Sequence, residues 1–156
     1  MKYAGAAVVV LALFLCFSVL SPALAQTVSC PVGGFSLELP DSLTEQPLSA
    51  EDPDLCLHWE GGGLSVQAYA SYLGEVAGSD LFQILDGTET ESGTVSFGGM
   101  NMIFASGTDF SVAYRMYSWM DRGNNVILYF YYPEGDTSGP AAAEAVMETI
   151  SFDAGH

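Results

Sequence analysis

The stretch DLCLHWE, residues 54–60, sets Cys56, His58 and Glu60 at alternate positions. On a strand these side chains share one face, and Leu55, Leu57 and Trp59 take the other. A cysteine and a histidine on one face suggest a thiolate activated by an imidazole base. Distance argues against that pair, because residues two apart on a strand stand about 7 Å apart, beyond hydrogen-bond reach. Cys56 also has an oxidative partner in Cys30, so it reads first as half of a disulfide. His58 is then a sheet-face histidine beside Glu60.

The remaining catalytic inventory is thin. The other histidine is His156, the last residue, and no serine stands in a G-x-S-x-G elbow. Lys2 is the sole lysine; beyond it nothing can form a Schiff base or serve a P-loop. EGGG at 60–63 leads from one strand into another and reads as a turn, not a phosphate cradle. Carboxylates are abundant, so a glycosidase-like acid pair stays open as an alternative. Glu51, Asp52 and Asp54 cluster in one loop, and Asp86, Glu89 and Glu91 in a second. Neither follows the calcium-loop pattern, and both read as solvated acidic loops, with weak Ca²⁺ binding as the alternative. No cofactor and no dedicated metal site is expected.

One group rises above this background. In the strand pair FSVAYRMYSWM and VILYFYY, odd positions carry Arg115, Tyr117, Trp119, Tyr129 and Tyr131. If the turn keeps Tyr117 opposite Tyr129 and Arg115 opposite Tyr131, these five form an aromatic face. Such a face suits a sugar, a flat ligand or a protein partner. A two-residue turn at Gly123-Asn124 would shift the register by one and break the face apart. The other reading is that a helix covers this face and the rings are core.

The elements that must position these residues begin after a leader. Lys2, the apolar run Ala4 to Leu20, and Ala23-Leu24-Ala25 fit a secretory signal peptide over residues 1–25, with Gln26 as the first mature residue. An uncleaved anchor is the alternative. Cys16 leaves with the leader. Cys30 and Cys56 are then an even pair in an oxidising setting, and a disulfide is the default over free thiols or a metal pair. The whole chain is formally −16, and loss of Lys2 makes the mature protein more negative still. That surface disfavours nucleic acid and anionic membranes and attracts cationic partners, although solubility alone also accounts for it.

From Gln26 to His156 the length suits a single domain. GFSLELP alternates as a half-buried strand ended by Pro40. LCLHWE and LSVQAYASY flank EGGG as a hairpin, and TVSF and MNMIFA flank Gly98-Gly99 as another. SDLFQILDG reads as a short middle helix stopped by Gly87. TSGPAAAEAVMETI reads as a C-terminal helix, with Ser138 as cap, Pro140 in its first turn, and Ala142, Val146 and Ile150 along one face. The expected class is α+β: a mostly antiparallel β-sheet with a short middle helix and a C-terminal helix. A pure sandwich is the alternative.

This layout resembles the PsbP-like fold, which recurs in small exported bacterial proteins. The likeness runs from GFSLELP through TVSFGGMNMIFA and the paired long strands to the closing helix and Ser151-Phe152. It lies in element order. It implies an α/β/α sandwich used as a binding module, usually without catalysis, and it transfers no site residues. Cys30 and Cys56 fall outside the shared pattern. The functional expectation is an exported, acidic, non-catalytic domain that binds a protein or glycan. The alternatives are a carbohydrate-binding module or inhibitor using the aromatic face, and a carboxylate-based hydrolase.

Overall fold

A computed structural model describes residues 24–72 and 89–153. Ten strands and one helix follow each other along these residues. They are β1 (Leu24–Cys30), β2 (Phe35–Pro40), β3 (Thr44–Glu45), β4 (Leu55–Gly61), β5 (Leu64–Tyr72), β6 (Glu89–Phe97), β7 (Met100–Asp109), β8 (Val112–Asp121), β9 (Asn124–Pro133), α1 (Gly139–Met147) and β10 (Ser151–Phe152). They build a seven-stranded sheet, β3-β4-β5-β9-β8-β7-β6, and a three-stranded sheet, β1-β2-β10. The pairings within both sheets are antiparallel.

Two-residue turns set the registers of the large sheet. Gly62-Gly63, Gly98-Gly99, Phe110-Ser111 and Arg122-Gly123 all have positive φ, between 46° and 84°. That is the conformation of the tight turns whose twist matches paired strands. The last of these turns decides where the aromatic residues go. It pairs Asp121 with Asn124, so Tyr117 lies opposite Leu128 and Arg115 opposite Phe130.

One face of the large sheet carries the main core. Phe35, Leu37 and Leu39 alternate inward from β2 and are at most 1% exposed. The Phe35 ring meets Trp119 edge-on at 5.3 Å, and Phe152 of β10 meets Trp119 at 5.8 Å. Helix α1 adds Ala143, Val146 and Met147 to the same cluster. It lies close against the sheet because its first residue has no side chain: a Cβ on Gly139 would stand 2.3 Å from the Tyr132 ring. Ser138 is the N-cap but makes no capping bond. Its hydroxyl donates to Asp136 Oδ1 at 2.6 Å instead.

The α+β class and the antiparallel sheet stand as expected. The C-terminal helix is shorter than its periodic pattern, so Ile150 is buried just past the helix end. The second sheet and strand β1 were not legible as such. β1 begins at Leu24, ahead of the expected cleavage point. The middle helix expected over SDLFQILDG lies outside the described residues, as do Asp86 and most of the expected leader. Glu89 and Glu91 stand in strand β6, not in a loop, because pairing with Gly107 and Ser106 carries that strand upstream of TVSF.

Candidate functional site

The expected five-residue aromatic face does not exist as one surface. The one-residue register shift divides it. Tyr117 and Trp119 face the main core and are 1% and 3% exposed. Arg115 shares their side of β8, with its guanidinium 5.5 Å over the Phe104 ring. Burial pushes the Tyr117 phenol up to about 12, with the neighbouring positive charge of Arg115 working against it. Tyr129 and Tyr131 point the other way, onto the outer face of the large sheet.

That outer face assembles residues from five consecutive strands of the sheet, β4, β5, β9, β8 and β7. Tyr129 and Tyr131 are neighbours along one side of β9, and their rings stack 5.3 Å apart with planes 9° from parallel. Tyr69 of β5, a diagonal neighbour, stands nearly perpendicular to Tyr129 at 88° and 6.0 Å. Tyr114 of β8 meets Tyr129 from the opposite side. Beneath them Ala105, Tyr114, Met116 and Ile127 form a small buried cluster. Burial raises the phenol pKa values of Tyr129 and Tyr69, and in Tyr69 the negative charge of Asp52 adds to the rise.

A polar ladder borders the rings. The Tyr69 hydroxyl donates to Gln67 Oε1 at 2.9 Å, and the Gln67 amide donates to Ser65 Oγ at 3.3 Å. His58, directly across from Gln67, holds Glu60 Oε1 at 2.8 Å from its Nε2. Two concavities flank Tyr131. One, of about 340 Å³, is lined by Asp52, Asp54, Tyr69, Ser71, Ile127, Tyr129 and Tyr131. The other, of about 480 Å³, opens where the β4–β5 and β7–β8 turns approach, between Glu60, Ser65, Val112, Tyr131 and Pro133. Both sizes fall in the range of small-ligand sites.

The DLCLHWE stretch resolves differently from its alternation. A bulge between Leu55 and Leu57 leaves Cys56 without a pairing partner on β5. An extra residue in one strand re-aims its side chain. Cys56 therefore packs with the main core, away from His58, and the two do not share a face. Its sulfur meets that of Cys30, 2.6 Å away. The structure holds the pair as two thiols and not as a bond, which would measure about 2.05 Å. Hydrogen bonding to Cys56 lowers the Cys30 pKa, and the same pairing, with burial, raises that of Cys56.

Glu51, Asp52 and Asp54 do not gather around a common point: among the described residues no three His, Cys, Asp or Glu side chains converge to hold a metal ion. Nor is any helix there long and apolar enough to cross a membrane. Tyr69 and Gln67 were missed in the sequence. Their period-two spacing in LSVQAYASY was visible, but not that β5 lies beside β9.

By sequence, neither a protein-family model nor a curated protein matches the chain. By structure it is similar to the cyanobacterial PsbP (CyanoP) of Synechocystis sp. PCC 6803, with a TM-score of 0.62 at 11% identity, over 86% of this chain and 96% of that one. It is also similar to a protein of Bacteroides thetaiotaomicron VPI-5482, with a TM-score of 0.54 at 14% identity, over 83% of this chain but 48% of the longer one. The fold is PsbP-like.

Proposed function

We propose that this is an exported, acidic, non-catalytic binding domain whose ligand meets the outer face of the large sheet at Tyr69, Tyr129 and Tyr131. The observation that carries this reading is the pair of concavities flanking Tyr131, walled by ordered tyrosines and bordered by a hydrogen-bonded polar ladder. Rigid aromatic rings with a few fixed polar groups are what recognition surfaces use. The PsbP-like fold supports a binding role over catalysis. The leader pattern supports export, and so does the contact of Cys30 with Cys56, which an oxidising compartment would convert to a disulfide. The stacked Tyr129 and Tyr131 rings favour a glycan as a second reading, since a sugar packs against the outer face of such a stack.

Incubation with a panel of soluble glycans and peptides tests the proposal. A bound member should be recovered chemically unchanged, and Tyr131→Ala should abolish its binding. A product that forms with the wild type and disappears in a folded Glu60→Gln or His58→Gln variant would establish an enzyme instead.

A further inference from the structure

Resting on that binding face, we infer that the cavity between the Asp52–Asp54 loop and strands β5 and β9 is a site for an alkylated ammonium group. Three tyrosines line it, Tyr69, Tyr129 and Tyr131. Tyr129 and Tyr131 lie nearly parallel, and Tyr69 stands 88° to Tyr129. An aromatic ring presents negative charge on its face, so a corner of such rings attracts a cation too weakly hydrated to stay in water. The charged residues lining the cavity are acidic, Asp52 and Asp54. Both cations of the chain beyond the leader are engaged elsewhere: Arg115 over Phe104 on the opposite sheet face, and Arg122 in the β8–β9 turn beside Asp121.

The backbone of the loop that carries the two aspartates is held in place before any ligand arrives. The Asp52 amide donates to Ser49 O, the Leu55 amide to Asp52 O, and the Ala70 amide to Asp54 O, at 3.2, 3.2 and 2.8 Å. The last of these bonds ties the loop to β5. Asp52 is half-buried, and its charge is felt at the Tyr69 phenol, across the mouth of the cavity. A bare divalent ion does not fit this arrangement, since among the described residues no third His, Cys, Asp or Glu ligand converges. A quaternary ammonium asks for no directed ligands, only ring faces and a counter-charge. The volume of about 340 Å³ is ample for such a headgroup with part of its substituent. The formal charge of −16 adds long-range attraction for a positive ligand.

Choline and its uncharged isostere 3,3-dimethylbutan-1-ol separate the cation from its shape. Both are titrated into the full exported protein at constant ionic strength, with the backbone amides followed by NMR. The inference predicts choline-dependent shifts concentrated at Tyr69, Ser71 and Ile127, with Kd of order 1 mM, and none from the alcohol. Asp52→Asn, a conservative change in a surface loop, should weaken choline about tenfold while the rest of the spectrum is preserved. Tyr129→Leu should weaken it by at least as much. Equal binding of choline and the alcohol overturns the inference, because the cavity is then merely apolar. Shifts at the same residues from a neutral oligosaccharide but not from choline overturn it too, yet leave the binding face standing. Silence from all three ligands overturns the inference as well, and leaves the binding face to the glycan and peptide panel.

Discussion

Single residues carry the departures from a plain pleated pattern, and each has a local cause. Cys56 reaches the core because one extra residue is inserted between Leu55 and Leu57. Phe110 and Ser111 adopt φ of 46° and 73° in a turn where glycine or asparagine is usual, and Phe110 is 95% exposed. A side chain in that region costs about 1–2 kcal/mol, and this one returns no packing. The double change Phe110→Asn with Ser111→Gly should therefore stabilise the domain by about 1 kcal/mol and raise Tm by several degrees in thermal unfolding. An unchanged or lowered Tm would mean that the Phe110 side chain contributes to stability. Tyr117 gives a pH signature. Its folded pKa is raised to about 12, so the native state holds its proton more tightly than the unfolded chain does. Stability is then fully present below about pH 10 and falls as pH rises toward 12. Urea unfolding across that window should show the decline, and Tyr117→Phe should reduce it, leaving the part due to Tyr69, Tyr129 and Tyr132, whose phenols are also raised by burial.

At the scale of elements, the decisive event is the two-residue Arg122-Gly123 turn. It sends Tyr117 and Trp119 inward and leaves Tyr129 and Tyr131 outside. Period-two alternation shows which residues share a face within one strand, and it was read correctly for β2, β8 and β9. It cannot say how two strands align, because a shift of one residue exchanges faces without altering either pattern. The same limit hid the β5–β9 contact that places Tyr69 beside Tyr129. Glycine pairs marked the hairpins well, since the chemistry of a tight turn is local. β1 was invisible because LAQTVSC overlaps the end of the expected leader and has little alternation, and its pairing with β2 is a tertiary matter. The Cys30–Cys56 contact joins β1 of the small sheet to β4 of the large one. Oxidised, it closes a loop of about 25 residues, worth roughly 3 kcal/mol in the loop-entropy account. Unfolding free energies from denaturant curves of the protein with and without reductant should differ by about that amount. Coincident curves would mean that the thiols are never joined.

At the scale of the molecule, the two faces of the large sheet have divided labour. One takes the small sheet and α1 and holds the main core. The other sets stacked tyrosines, a hydrogen-bonded polar ladder and carboxylates around two concavities. An acidic surface with few histidines, thiols or lysines available for covalent chemistry fits recognition better than turnover. Hydroxyl-radical footprinting in the presence of material from the protein's native surroundings tests this most directly, with the highly exposed Phe110 as an internal reference. The account predicts that Tyr69, Tyr129 and Tyr131 lose reactivity while Phe110 keeps its own. Loss at Phe110, Leu48 or Val32 with the three tyrosines unchanged would place the contact elsewhere and contradict it.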